Sequence, residues 1–383
     1  MNPGALLHDS PLTHRDAHGG VVVLFPGGHG KPQLRPFPYT THLGEAQVGT
    51  LVGEQQHSAA NDVHDFGGTP VTAEFEHRPV MLDEVLETFA ELGPGLVVDA
   101  TVGGGGHAEA LLEQHDGREL LGIDRDPVAI AAAGERLARF GDRCRLVRAR
   151  FDSVGDVLEA DGRPLVGALF DLGVSSPQLD VGERGFSHRH DAPLDMRMDS
   201  GQILTAATVV NTYDVTELRR ILRAYADESH NRRIAEAIVA ARPIETTGQL
   251  ADVVRSAVPA AARRTGRHPA MKTFQAIRIE VNNELDVIEP AITAVIDRLE
   301  PGGRLVVISY HSGEDRIVKH VLRQAADGAC ECPSGLPCIC GAGPSVRLIR
   351  RKVRRPEAAE VEANPRAASA RFRSAERLAI GER

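Results

Sequence analysis

The stretch Leu96-Val-Val-Asp99-Ala-Thr-Val-Gly103-Gly-Gly-Gly106-His107 restricts the fold of this chain more than any other. A short apolar run ends in an acid, four glycines follow, and Ala108-Glu-Ala-Leu-Leu112 reads as a helix. The order is a buried strand, a tight turn and a helix start. Glycines at such a turn let the backbone approach a ligand closely, and the helix N-terminus presents free N–H groups to it. A second strand, Glu119-Leu-Leu-Gly-Ile-Asp124, ends in another acid, where a nucleoside ribose has its two hydroxyls gripped. The glycines are contiguous and His107 follows Gly106, so the pattern departs from G-x-G-x-x-G. On these residues alone, a flexible turn with no ligand stays an alternative.

The rest of the chain extends the pattern. Arg143-Cys-Arg-Leu-Val-Arg148 reads as a third strand, followed by Phe151-Asp152-Ser153. Pro164-Leu-Val-Gly-Ala-Leu-Phe170-Asp171 is a fourth, again ending in an acid, and Pro301 to Ser309 a fifth, with Tyr310-His311-Ser312 at its end. Helices are expected over 108–115 and from Pro127, a good first-turn residue. Strands alternating with helices predict an α/β fold with a mostly parallel sheet, right-handed crossovers and helices on both faces. Ligands of such sheets bind outside the carboxyl ends of the strands, where Asp99, Asp124, Phe151 and Asp171 fall. One acid there is readily a helix cap; three of them beside a glycine turn are hard to assign to capping alone. Val346–Arg350 and Ser369–Arg373 read as closing strands.

The pattern changes over about 196–269 to short helices. Asp214-Val-Thr-Glu217 is a capping box, Ser229 and Thr247 begin further helices, and the region reads as a small all-helical insert. Arg232, Arg233, Arg263, Arg264, Arg267 and Lys272 suit phosphate contacts, or form an ordinary solvated face. A single long helix is expected from Thr273 to Leu299. The sheet domain is then discontinuous, 77–195 and 270–383.

Charge narrows the partners. The formal net charge is −9, yet residues 341–383 hold eleven Lys/Arg against five Asp/Glu, a local footprint for a polyanion. Aromatic residues are only 4% and Trp is absent, which excludes a broad stacking platform for single strands. Residues 1–76 carry eight Asp/Glu, three Lys/Arg and seven of the sixteen histidines with no sustained period, predicting a disordered extension; a metal-binding His tract is the alternative. No apolar run reaches the ~18 residues a membrane span needs, and no basic segment precedes Val21–Phe25 as in a signal peptide, so a cytoplasmic protein is expected. Cys330, Cys332, Cys338 and Cys340 have zinc-compatible ligand types at tight C-x-C spacing, with a loop of reduced thiols as the alternative.

Seven motifs then occur in order: Asp99 to His107, Ile123 to Pro127, Asp171-Leu-Gly-Val-Ser-Ser-Pro-Gln178, Arg184-Gly-Phe-Ser187, Pro193 to Met198, Lys272 to Arg278, and Ser309 to Lys319, with Asn364-Pro-Arg366 beyond them. Together they resemble the MraW/RsmH family, over about His77 to Arg377. The resemblance implies a class I, Rossmann-like methyltransferase that methylates N4 of a cytidine in small-subunit ribosomal RNA with S-adenosyl-L-methionine as cofactor. Its substrate would be the RNA or the assembled 30S subunit, and a homodimer stays open. By motif, the implied cofactor contacts are Gly105, Gly106, His107, Asp124, Phe151, Asp171 and Gln178. The candidates for catalysis are Asp171, Ser175 and Pro177, with His311 in a second rank. Gly104 and Tyr310 depart from the residues frequent in the family, the second of them from a Phe. Two rival classes remain in view: a nicotinamide-dependent oxidoreductase, which would carry a cleaner G-x-G-x-x-G, and a non-catalytic ribosome-assembly factor that binds cofactor and RNA.

Overall fold

Strands β3 (Gly95–Asp99), β4 (Arg118–Asp124) and β6 (Leu165–Asp171) are buried along almost their whole length, as expected of central parallel strands covered on both faces. With β5 (Cys144–Arg148), β7 (Leu299–Ser309), β8 (Val346–Leu348) and β9 (Arg371–Arg377) they form one seven-stranded sheet in the order β5-β4-β3-β6-β7-β9-β8. Pairing from β5 to β7 is parallel, and β9 lies antiparallel between β7 and β8. Strand order reverses at β3, so the ends of β4, β3 and β6 flank the position where such sheets bind ligands. This description comes from a computed structural model, in which the described residues are 13–15, 21–23, 79–173, 184–260, 268–328, 332, 339–340 and 343–379.

Alternate residues of each strand supply two cores. Val98, Ile123, Phe170 and Val307 pack under α4 (Val154–Asp161), α10 (Ile288–Arg298) and α11 (Ser312–Asp327). Val97, Leu120, Leu169 and Val306 pack on the other face under α1 (Leu82–Phe89), α2 (Gly106–Gln114) and α3 (Pro127–Leu137). The strand period of two thus explains why a sheet with near-continuous apolar strands needs helices on both sides.

A third core is wholly helical, built from α5 (Ala206–Thr212), α6 (Val215–Ala226), α7 (Asn231–Ala240), α8 (Thr247–Ala257) and α9 (Met271–Asn282). Its apolar side chains run from Phe186 to Val281, wider than the 196–269 read from the sequence. The capping box at Asp214 and Glu217 is present, and a second, with Thr246 as N-cap and Gln249 as its partner, starts α8 at the expected Thr247. A short α12 (Ala358–Ala363) precedes β9.

The expected helix from Thr273 to Leu299 is instead two helices, α9 and α10. Asn283 caps α9 in the left-handed region at φ 48°. The cause lies in the preceding residue: the Asn282 amide nitrogen donates to Met196 O at 2.8 Å, and its oxygen accepts from Met198 N at 2.9 Å. Just beyond, Glu284 turns back to grip Arg278 through two bonds of 2.9 and 2.7 Å. The helical core is tied to the sheet by the Arg184–Asp126 ion pair at 2.5 Å and by Arg125, which donates to Asn282 O at 3.1 Å.

Residues 1–72 and 73–383 are separate units. In the first, the described residues are two antiparallel strands, β1 (Thr13–Arg15) and β2 (Val21–Val23). The disorder expected for the remainder of 1–76 lies outside the described residues, as do Arg263, Arg264, Arg267, Cys330 and Cys338. Among the described residues no helix is long and apolar enough to cross a membrane, and no group of three or more His, Cys, Asp or Glu is arranged to hold a metal.

Arg278 and Glu284 are 15% and 7% exposed, so removing one partner leaves the other charge in a largely dry site. Arg278→Met is expected to lower unfolding stability in urea by ~3–5 kcal/mol, whereas Arg278→Met with Glu284→Leu recovers most of it. Equal losses in the single and the double variant would show that the two charges do not act as a pair at the junction.

Candidate functional site

The glycine turn forms as the sequence requires. Gly103 and Gly105 take φ of +50° and +82°, and Gly105 is the N-cap of α2. A Cβ on Gly106 would meet Pro79 Cγ at 2.6 Å, so conformation favours glycine at 103 and 105 and space favours it at 106. The tightness of the turn carries His107 to the first turn of α2, where its ring is only 6% exposed.

Three carboxylates converge on this turn from the ends of β3, β4 and β6. Asp99 Oδ1 accepts from Thr101 N at 3.1 Å. Burial pushes its pKa up to about 7, against the opposing pull of His107 and of the Thr101 amide. Asp124 accepts from Asp126 N at 2.8 Å on Oδ1 and from Gly103 N at 3.1 Å on Oδ2. Burial raises this carboxyl too, while those two amides draw it back. An ionised carboxylate offers about four lone-pair positions, so Asp124 retains acceptor capacity on both oxygens. The Asp171 backbone N–H donates to Thr101 Oγ1 at 2.6 Å, and its Oδ1 accepts from the Tyr310 hydroxyl at 2.8 Å. Its Oδ2 lies 3.6 Å from His107 Nε2. Neither nitrogen of that buried imidazole has a hydrogen-bond partner among the described residues.

Of the residues read from the sequence, the fold brings Gly105, Gly106, His107, Asp124 and Asp171 to one side of the sheet's carboxyl edge. Phe151 opens a short 3₁₀ turn after β5, and its ring meets Phe170 edge-on at 6.1 Å and 86°, packing partly into the sheet core. Ser175, Pro177 and Gln178 lie outside the described residues. His311 has a structural role. Its Nδ1 accepts from Gly313 N and Glu314 N, while Glu314 accepts from the His311 and Tyr310 amides, a capping box that starts α11. A nitrogen committed to accepting from two amides is a poor general base.

Two participants escaped the sequence reading, Thr101 and Tyr310. Both act across neighbouring strands, Thr101 from the β3 turn to β6 and Tyr310 from β7 to β6. The available signal was positional: Tyr310 follows the strand that pairs with β6 and stands just past its carboxyl end.

The site suits a cationic, ribose-bearing ligand on structural grounds. It offers three carboxylates, unspent acceptor positions on Asp124, a buried imidazole with unmet polar atoms, and a glycine cradle. A second basic surface lies along the sheet edge, where Lys319, Arg323, Arg350, Arg351 and Arg373 line a shallow cavity of about 190 Å³ between α11 and the β8–β9 edge. Among these, Arg373 is tied to Asp315 at 2.7 Å.

Comparison with known proteins follows the same lines. Residues 74–378 match the profile of the MraW methylase family. A protein of Symbiobacterium thermophilum named ribosomal RNA small subunit methyltransferase H is 51% identical over 315 residues, covering 80% of this chain and 98% of that protein. A namesake in Thermobifida fusca is 52% identical, covering 81% and 95%, and one in Salinispora arenicola 53% identical, covering 79% and 83%.

Because the folded Asp99 carboxyl titrates near 7 and an unfolded one near ~3.9, its neutral form contributes stability that is fully present below about pH 4 and lost as pH rises through 7. Asp99→Asn removes the titration. Relative to the natural protein, the variant is expected to gain a few kcal/mol of unfolding stability between pH 4 and pH 8, at ~1.4 kcal/mol per pKa unit. Urea midpoints that move in parallel for the two proteins across this range would refute the assignment.

Proposed function

The chain belongs to the MraW methylase family, and on that premise we propose that it is a cytoplasmic methyltransferase acting on N4 of a cytidine in small-subunit ribosomal RNA, with S-adenosyl-L-methionine as cofactor. The observation that carries the reading is the set of three strand-end carboxylates around a glycine turn, in a chain half identical to proteins named for small-subunit RNA methylation.

When bound, the cofactor supplies a methyl group already activated on a sulfonium, so the protein has little covalent chemistry to perform. What the protein must supply is alignment and exclusion of water. Gly105 and Gly106 admit the cofactor close to the backbone, Asp124 accepts from the two ribose hydroxyls, and Phe151 offers an apolar wall to the adenine. His107 and Gln178 complete the cofactor contacts. The acidic floor favours a cation there over a neutral ligand.

The difficult partner is the nucleophile, because the N4 lone pair of cytosine is delocalised into the ring. An acceptor bonded to an N4 proton can turn that lone pair out of conjugation and take the proton as the new C–N bond forms. Asp171 is the residue we assign to this role, with Ser175 and Pro177 as the further candidates from the same motif. A cytosine in structured RNA must be splayed out to reach such a pocket. Arg232, Arg233 and the cations of the α11–β8–β9 cavity hold the surrounding phosphates.

Three measurements test this. Small subunits lacking the modification, incubated with the protein and labelled S-adenosylmethionine, should yield N4-methylcytidine by mass spectrometry; label on another base would remove the N4 assignment. Cofactor binding without any transfer would favour the assembly-factor reading. Asp171→Asn should lower kcat by at least ~10²-fold, the lower range for a general base, and full activity would sink its role. For the RNA, replacing Lys319, Arg323, Arg350 and Arg351 with Ala should flatten the dependence of log K on log salt by ~0.7 for each phosphate no longer neutralised. An unchanged slope would detach that surface from RNA binding.

A further inference from the structure

Tyr310 is a largely buried phenol beside the carboxylate assigned to the proton transfer. It stands directly after β7, whose Ile308 is the register partner of Asp171 on β6. Three contacts fix its position. Its backbone N–H donates to the buried Glu314 carboxylate at 2.7 Å, its hydroxyl donates to Asp171 Oδ1 at 2.8 Å, and its ring borders Gly173, where a Cβ would lie 3.4 Å from Tyr310 Cδ2. Burial, and then the facing Asp171 carboxylate, hold the phenol's pKa well above its ordinary value, so the hydroxyl remains a donor.

The consequence is an asymmetric carboxylate. The torsion that swings the two oxygens of an aspartate is intrinsically broad and close to two-fold. Here one oxygen is committed to Tyr310, while Oδ2 faces His107 Nε2 at 3.6 Å, beyond bonding distance. The Asp171 backbone is held independently by the bond to Thr101 Oγ1 and by Leu172 N, which donates to Ile308 O at 2.9 Å. Only the Tyr310 hydroxyl, among the described residues, selects the carboxylate's rotation through a bond to an oxygen.

We propose that Tyr310 is a positioning residue of the methyl transfer: it occupies Asp171 Oδ1 and so presents Oδ2, in one orientation, as the acceptor for the exocyclic amine of the target base. The proposal rests on the role assigned to Asp171. A Phe at this place would keep the ring and lose the bond. The hydroxyl is therefore a refinement of alignment rather than a condition of activity, and its removal has a moderate effect.

The test is a double-mutant cycle with Tyr310→Phe and Asp171→Asn, using the full chain, small subunits as substrate, and S-adenosylhomocysteine as the binding probe. Tyr310→Phe should lower kcat about tenfold, the size expected when one hydrogen bond to a charged group is lost, and leave the KM for subunits near that of the natural protein. Because Tyr310 acts through Asp171, adding Tyr310→Phe to Asp171→Asn should produce no further loss. A kcat for Tyr310→Phe equal to that of the natural protein would overturn the proposal. So would an effect confined to KM, or losses that multiply in the double variant, which mark an independent structural role. Melting temperature reports whether each variant is folded, and S-adenosylhomocysteine affinity whether Tyr310→Phe still binds the cofactor product. Should Asp171→Asn itself be fully active, the reading of Asp171 fails and this proposal with it. If Asp171→Asn is inactive and Tyr310→Phe is not impaired, the Tyr310 proposal alone fails.

Discussion

Three carboxylates at the ends of adjacent parallel strands, Asp99 buried and Asp124 and Asp171 partly so, are the constraint to which the rest of the site answers. An isolated buried carboxylate is expensive, and a fold retains one only where hydrogen bonds or a proton offset the lost hydration. Each of the three is treated differently. Asp124 is met by two backbone amides from the turns on either side of it. Asp171 is met by a phenol from the next strand. Asp99, the most deeply buried, has one amide, and its pKa rises to about 7. The left-handed conformation of Gly103 follows from this arrangement, since it aims an amide at a carboxylate on the neighbouring strand.

The same logic governs the junction between the sheet and the helical core. Arg278 and Glu284 neutralise one another there, Asn282 spends both ends of its amide on the backbone around Met196 and Met198, and Arg184 reaches from the helical core to Asp126. Asp126 follows Asp124 by two residues and donates its amide to it. The helical core is thereby connected, through one ion pair and one backbone bond, to the carboxylate assigned to the ribose. The helical core and the strand-end site on the sheet are therefore mechanically adjacent without sharing a core.

How much of this was readable beforehand depends on the range of the interaction. The strands, the glycine turn and the acids at strand ends are local: a period of two, a run of glycines and a terminal aspartate are visible in consecutive residues, and they gave the α/β class and the positions of Asp99, Asp124 and Asp171. The break after Asn282 was not visible, because apolar residues continue at helical spacing through it. What ends the helix is an amide captured by backbone more than eighty residues earlier in the chain. Tyr310 and Thr101 were missed for the same reason, since their partner lies on another strand. His311 shows the converse, a histidine at a strand end that suggests catalysis until its Nδ1 is found capping α11.

The charge distribution separates acidic and basic groups by depth. The floor of the site is acidic and partly to fully buried, suited to a compact cation, whereas the cations of the α11–β8–β9 edge are mostly exposed, suited to phosphates. Exposed charges are screened within about 8–10 Å at ordinary ionic strength, and buried ones much less. Salt therefore acts on the exposed cationic edge and much less on the strand-end floor, while protonation near pH 7 acts on the floor through Asp99 and leaves the arginine-rich rim unchanged. A protein of net charge −9 can bind a polyanion on these terms because the attracting field is local. The antiparallel β9 is what places it: running against its neighbours, it brings Arg371 opposite Ser309 at the carboxyl end of β7, so the cationic edge begins beside the strand end from which Tyr310 reaches Asp171.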